Sequence, residues 1–389
     1  MAILLLIVGI VLFIGLIVVH EWGHFIVARR SGVEVEEFGI FFPPRLYSRR
    51  TKAGWTFSFN LIPLGGFVKL KGEHDTDTEP GSYGAASTWT KSKIMAAGVF
   101  MNLVTALVLL TILAFVGMPK LIDNQFTVKK DTQLVDRSVL IGYVEPGSPA
   151  AKAGLKAEDE INDIALAGYS PVGIPNADKL PQITKQFAGK TAVIYYTRDG
   201  EEHQTTATLL TQKAVAASQK TNDPKGYLGI SPTDFTLQRS TWSAPVVAVG
   251  FSAQVAALTF QGLGHALGGL GSLIAGFVTG NHTARENGQT NASSQVAGPV
   301  GIFVILKDGS LLGYQFMLMI IAIISLTLAI MNILPIPALD GGRLWLTLIT
   351  RGLKKPLSAR TEELVNASGF VLLLGLIVLI TIVDVNRFL

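Results

Sequence analysis

The first nineteen residues, Met1 to Val19, contain no charged side chain and no proline, and the apolar run resumes after His20–His24 and continues to Ala28. A helix of about 20 such residues crosses the hydrocarbon core of a bilayer, so this stretch predicts a membrane span. Three more runs are long and apolar enough: Ile94–Met118, Leu311–Leu334, which ends in a proline-rich break, and Leu364–Val383. Only 15% of the 389 residues are charged and 49% are hydrophobic, whereas a soluble domain carries about a quarter charged residues. The composition therefore points to a polytopic membrane protein. The net charge of +4 is not gathered in one patch, which gives nucleic-acid binding no support. Cysteine is absent, which excludes disulfides, thiolate metal ligands, a Cys nucleophile and palmitoylation. The N-terminal run has no basic region before it and no small-residue cleavage site after it, so it reads as a retained span rather than a signal peptide.

Basic residues set the expected orientation. Arg29, Arg30, Arg45, Arg49, Arg50 and further lysines up to Lys93 lie between the first two runs, and Arg343, Arg351, Lys354, Lys355 and Arg360 lie between the last two. Both loops should face the cytoplasm, with the N-terminus, the region 119–310 and the C-terminus outside. Residues 243–280 hold no Asp, Glu, Lys or Arg and so resemble another span. A single crossing there would reverse the last two spans, and two crossings would need roughly 40 apolar residues. The expectation is a helix on the outer interface or a re-entrant piece, with Gln254, Gln261 and His265 on one polar stripe.

The polar patch in the first span is His20-Glu21-Trp22-Gly23-His24, an H-E-x-x-H pattern. Positions i and i+4 share a helix face, so both imidazoles can reach one ion, and Glu21 beside them can act as general base. Ionisable residues at membrane depth are costly and generally carry a function. Two satisfied polar residues near a helix end are the bland alternative. A catalytic zinc keeps three protein ligands and an open position, so one ligand is missing. His74 and His203 fall in polar loops, and His265 and His282 lie on the outer side. Asp340, in Asn332-Ile-Leu-Pro-Ile-Pro-Ala-Leu-Asp340-Gly-Gly, sits at the cytoplasmic end of its span and is the better candidate. Pro335 and Pro337 stop regular helix there, which membrane proteins tolerate where a cavity is lined.

H-E-x-x-H in one span with N-x-x-P-x-P-x-L-D-G in a later one resembles the site-2 protease family, and in particular the bacterial RseP/RasP-type regulated intramembrane metalloproteases. The resemblance covers nearly the whole chain. It implies one Zn2+ bound by His20, His24 and Asp340, with Glu21 catalytic. Gly98 and Asn102 match the family's second-span G-x-x-x-N, whose Asn lies near the active site, although Val99 stands where a Pro often follows that Gly. Asn332 would support the site. The segment Phe38–Val68, with Gly65 and Gly66, resembles a membrane-reentrant β-hairpin that takes substrate as an added strand. An ordinary cytoplasmic hairpin is the alternative. Val144-Glu-Pro-Gly-Ser-Pro-Ala-Ala-Lys-Ala-Gly-Leu155 resembles a PDZ domain, with Glu158 where the family usually has Gly. Tyr227-Leu-Gly-Ile230 resembles its carboxylate-binding loop, placed last as in circularly permuted bacterial forms. Such a domain would capture peptide C-termini or serve only as a size filter. Gly298-Pro-Val-Gly-Ile302 also matches the family, but the residues alone give no physical account of it.

The expected architecture is a mostly α polytopic membrane protein with four transmembrane helices, a cytoplasmic-side membrane-associated β-hairpin and one inserted extracytoplasmic PDZ domain of α+β type. Its parts are the first span with H-E-x-x-H (1–30), the loop with the hairpin (31–93), span two (94–118), and the PDZ domain with flanks (119–240). The interfacial or re-entrant segment (241–310), span three with L-D-G (311–342), a cytoplasmic loop (343–362) and span four (363–385) follow. The expected activity is hydrolysis of peptide bonds within single-span membrane proteins or membrane peptides in a bacterial inner membrane. Pre-cleaved anti-sigma factors and signal-peptide remnants are the substrate candidates. Two rivals are a non-catalytic PDZ adaptor, which has no use for Glu21, and a prenyl-protein type of membrane metallopeptidase. The latter would take its third ligand from a downstream Glu.

Overall fold

The computed structural model describes residues 2–73, 77–219, 224–280, 298–353 and 358–388. His74, His282 and the N-x-S/T sequons at Asn281 and Asn291 lie outside them. The chain divides into two compact units. One comprises Met1–Leu5, Thr111–Val247 and Gly309–Phe316; the other comprises Leu6–Leu110, Ala248–Asp308 and Met317–Leu389.

Helix α1 spans Ala2–Arg30. It stops at Gly32, which takes φ +79°. The amides of Gly32 and Val33 then bond back to the carbonyls of Arg29 and Ala28, a glycine-dependent helix stop. Helix α2 spans Thr88–Val116 and starts where the Ser87 hydroxyl accepts from the Thr90 amide. Between them β1 (Val35–Arg50) and β2 (Thr56–Leu70) pair as an antiparallel sheet. Both strands bend back on themselves. Residues 37–40 have partners 69–66 on one side and 56–59 on the other, while 45–50 pairs with 60–56. The expected hairpin is therefore present, folded so that 37–40 lies inside and 66–70 at an edge.

Five helices among the described residues are long and apolar enough to cross a membrane: α1, α2, Ala244–Gly269 within α6, α8 (Tyr314–Ile333) and Arg360–Val385 within α10. The helix α6 runs unbroken over Ala244–Thr279, so the segment expected to be interfacial or re-entrant makes no chain reversal. With glycine the only weak helix former in the stretch and proline confined to Pro245 in the first turn, nothing in it breaks helix.

Helix α7 (Pro299–Leu311) opens on Gly298-Pro-Val-Gly-Ile302. The buried carboxylate of Asp384, on α10 (Ala359–Phe388), accepts from the amides of Gly298 and Gly301 at 2.9 and 2.8 Å. A Cβ at Gly298 would lie 2.8 Å from that carboxylate. The motif is thus a helix N-terminus pressed against an acidic cap from another helix.

In the other unit, β3 (Met118–Pro119), β4 (Gln133–Val144), β5 (Glu160–Leu166), β6 (Val172–Gly173), β7 (Thr191–Arg198), β8 (Glu201–Thr208) and β9 (Ile230–Arg239) form one sheet. Its order is β3-β9-β4-β5-β7-β8, with β6 on β5. The short helices α3 (Pro149–Lys152), α4 (Lys179–Gln186) and α5 (Gln212–Ser218) accompany it. Val139, Ile141, Ile161, Ile164, Leu180, Ile194 and Leu228 fill the core. The amides of Glu145 and Ala150 donate to the carbonyls of Gly229 and Leu228, bringing the Tyr227–Ile230 loop beside the Val144–Leu155 motif. Glu158 takes φ +71°, the left-handed region that favours glycine. His203, expected in a loop, is in β8 and stacks on Tyr196.

The unit's fully buried carboxylate among the described residues is Asp159, to which the partly exposed Arg198 donates from Nε and Nη2 at 2.6 Å each. Arg198→Ala would leave the buried Asp159 charge with the Lys156 amide as its remaining donor, at a cost of up to about 3–5 kcal/mol. Thermal unfolding of the detergent-solubilised chain should show this unit destabilised by roughly that amount, and an unchanged profile would contradict the pairing.

Candidate metal centre

His20 and His24 lie one helical turn apart on α1 and face α2. Gly23 makes this possible, because a Cβ there would come within 2.7 Å of the Ala97 carbonyl oxygen. Gly98 lies under the two rings, and a Cβ on it would overlap His24 Nε2 and sit 2.8 Å from His20 Nδ1. The rings meet edge to face with centroids 4.9 Å apart. His24 is only 6% exposed, and its Nδ1 donates to the Ile94 carbonyl at 2.7 Å. His20 Nδ1 faces the side-chain amide of Asn102 at 3.3 Å.

Asp340 is the first residue of α9 (Asp340–Gly352). The chain reverses between α8 and α9 through Pro335 and Pro337, with Ala338 at φ +72°, a strained position for a residue with a Cβ. Gly341 and Gly342 press against the backbone of Ile333–Leu334 and Ile336–Pro337, where any Cβ would collide. Trp345 Nε1 donates to the Ile333 carbonyl and closes the turn. Arg343 donates to Glu73 at 3.2 Å and lies over the Tyr83 ring. Burial opposes the Arg343 charge, but Glu73, then Tyr83, outweigh it and hold its pKa above the ordinary arginine value.

This turn brings Asp340 Oδ2 to 3.0 Å from both His20 Nε2 and His24 Nε2, and those nitrogens are 3.3 Å apart. A carbonyl only accepts, so in neutral His24 the proton is on Nδ1 and Nε2 presents a lone pair. That lone pair points at a carboxylate oxygen, and two acceptors 3.0 Å apart call for a cation among them. Ligand atoms about 2.0–2.2 Å from a tetrahedral zinc are about 3.3 Å from one another, close to the spacing here. The three side chains fit a divalent metal, and they form the one His/Asp/Glu cluster of this kind among the described residues.

Of the other expected residues, Glu21 lies next to the cluster, and Gly66 lies against it: a Cβ on Gly66 would be 2.8 Å from Glu21 Cγ and 3.2 Å from the Gly39 carbonyl. Gly65 packs on the Phe42 ring instead. Asn332 occupies the last turn of α8, and no hydrogen bond among the described residues ties it to the three donors. Sequence reasoning missed Ser325, which is fully buried and donates to the Asn102 carbonyl at 2.8 Å. A serine inside an apolar span was the available signal. It also missed the Ile94 carbonyl, for which a sequence carries no signal.

The model of peptidase family M50 matches residues 8–376. The chain belongs to peptidase family M50. It is similar over 394 residues, at 30% identity and 98% of both chains, to a Clostridium perfringens protein called "Putative zinc metalloprotease CPE1693". A Campylobacter jejuni protein called "Putative zinc metalloprotease Cj1068" is 29% identical, over 96% of this chain and 90% of its own. The Enterococcus faecalis "Probable protease eep" is 25% identical, over 97% and 98%. The enzyme is a site-2-type metalloprotease, and its cofactor is zinc.

Gly98→Ala should crowd both imidazoles, and forcing a methyl into such a packed site costs about 1–3 kcal/mol. Elemental analysis of the purified variant should show most of the zinc lost. Gly15→Ala, on the same helix bundle but with nothing within 4 Å of its new methyl, should keep a full complement.

Proposed function

We propose that this enzyme hydrolyses peptide bonds of single-span membrane proteins at membrane depth, acting on substrates already shortened by another protease, such as anti-sigma factors or signal-peptide remnants. The observation that carries the reading is the convergence of His20, His24 and Asp340 on α1, a helix long and apolar enough to cross a membrane. In this reading the three side chains hold one zinc, which supplies Lewis acidity toward the scissile carbonyl and makes a nearby water easier to deprotonate. Glu21 takes the proton from the attacking water and returns it to the leaving amine. Asn332 hydrogen-bonds substrate or loop backbone.

The hairpin provides the means of holding substrate. A substrate helix must unwind before cleavage, and in lipid its freed backbone groups need partners. Segment 66–70 is paired only on its 35–40 side, and Gly66 abuts Glu21. An extended peptide added along that open edge lies beside the base. The sheet unit acts as a permuted PDZ domain outside the membrane. Its cleft of 360 Å³ between α4 and β9, lined by Leu180, Thr184, Lys185, Leu228 and Ile230, suits an apolar peptide C-terminus with its carboxylate. The enzyme resides in a bacterial inner membrane with four spans, both termini outside, and α6 on the outer interface.

Glu21→Gln removes the base and no metal donor, so it should keep zinc while cleavage of a model membrane substrate falls about 10²–10⁴-fold. Asp340→Ala should lose both. Near-normal turnover by Glu21→Gln would overturn the assigned role.

Because the chain has no cysteine, single Cys probes report topology directly. Cys at Ser170 and at Gly280 should react with an impermeant thiol reagent in intact cells, and Cys at Ser48 should not. Shielding at Gly280 alone would mean that α6 crosses the membrane.

A further inference from the structure

We propose that Asn102 is a positioning residue whose side-chain oxygen accepts the Nδ1 proton of His20 and thereby keeps the Nε2 lone pair of that ring free for the metal. The inference deepens the assignment of His20 as a zinc donor and rests on it.

The two imidazoles are held differently. His24 needs no side chain to set its tautomer, because the Ile94 carbonyl 2.7 Å from its Nδ1 accepts only. Its proton is on Nδ1, and Nε2 faces Asp340 Oδ2 at 3.0 Å. His20 Nε2 faces the same oxygen at 3.0 Å, but its Nδ1 meets the Asn102 amide at 3.3 Å instead of a carbonyl. One end of that amide donates and the other accepts, and the two ends have the same shape. Whichever end faces Nδ1 decides where the His20 proton goes.

Asn102 is 1% exposed. Its backbone carbonyl is taken by Ser325, and its side chain has one hydrogen-bond partner, His20. The end that faces the ring is Nδ2, and Oδ1, turned away, is buried with no hydrogen-bond partner among the described residues; turning the amide over about its last torsion exchanges the two ends without moving any other group. An amide carried into an apolar helix pair at this cost, and bonded through its side chain to one imidazole only, serves that imidazole. With the NH2 group on Nδ1, the end that faces the ring as the amide stands, the His20 proton is driven to Nε2 and points at Asp340, into the space between the three donors. With the amide oxygen facing Nδ1–H, all three donors present lone pairs to one point. Helix α2 then sets both rings through residues 94 and 102, one by backbone and one by side chain. Partners of this kind on the far nitrogen of a ligating histidine typically change metal affinity by 10–100-fold.

The test is zinc affinity by chelator competition on the purified full-length protein in detergent, with no reliance on turnover. Asn102→Leu removes the acceptor at similar size and should weaken zinc 10–100-fold. Asn102→Asp accepts only, so it should bind within a few-fold of wild type or tighter. Ser325→Ala frees the Asn102 backbone but leaves its side chain, and should bind like wild type. Wild-type affinity in Asn102→Leu would overturn the inference. So would an Asp variant as weak as the Leu one, or an equal loss in Ser325→Ala, which would reduce Asn102 to packing. His24→Ala separates this from failure of the metal site itself: if that variant bound zinc as tightly as wild type, the three-residue assignment would fall, and the inference with it.

Discussion

The metal centre depends on how closely α1 and α2 approach. Helices in lipid gain little from burying apolar surface against each other, so close packing across small residues does much of the holding. Gly23 on one helix lies against the Ala97 carbonyl, and Gly98 on the other lies under both imidazoles. A methyl group at either point pushes the helices apart. At this distance the Ile94 carbonyl and the Asn102 amide reach the far nitrogens of His24 and His20. The ring orientations are therefore set by the helix opposite, and the spacing of H-E-x-x-H only places them on the right face.

The third donor has a different support. A carboxylate held among apolar helices is expensive to desolvate, and Asp340 is kept beside the two imidazoles by a turn that cannot relax. Ala338 stays in the left-handed region, Gly341 and Gly342 lie on the backbone they follow, and Trp345 caps the end of α8. A Cβ on Gly369 of α10 would lie 2.5 Å from Pro337, so the turn is also pressed from the C-terminal helix. Arg343, three residues beyond Asp340, fastens the start of α9 to Glu73 and Tyr83 in the loop after the hairpin. Such strain persists only where the surroundings over-determine the conformation, and here the turn's own packing and two segments distant in sequence do so.

Much of this was legible in the sequence because it rests on local periodicity and on a few residues whose chemistry is costly in lipid. The i, i+4 histidines and the proline-broken turn before Asp340 each follow from one short stretch. What was not legible depends on non-local approach. Gly298-Pro-Val-Gly-Ile302 carried no reading until Asp384, more than 80 residues away, proved to accept from its first amides. The expectation for 243–280 left a helix and a re-entrant piece open, because charge bias governs crossing and not helix continuity; the stretch is one helix. His203 was placed in a loop on polarity alone. Polar alternation in 201–208 fits a solvent-facing strand, and the register with β7 makes it one.

The hairpin shows how two edges of one small sheet are treated differently. Doubling back gives it two inner segments, 37–40 and 56–60, and two outer ones, 45–50 and 66–70. The first outer segment follows Pro43 and Pro44 and carries Arg45, Arg49 and Arg50. Prolines and inward or edge charges are what sheets use to refuse another strand. The second reads Gly66-Phe-Val-Lys-Leu70, has no proline and one charge, and that Lys69 is taken by Glu36 at 2.8 Å. The edge that can accept a strand is thus the one whose Gly66 touches Glu21, and the edge away from it is blunted. A sheet built only to cover the helices has no need of that asymmetry. One that must present an extended chain to a single side of α1 does, and the side left open is that of the proposed base.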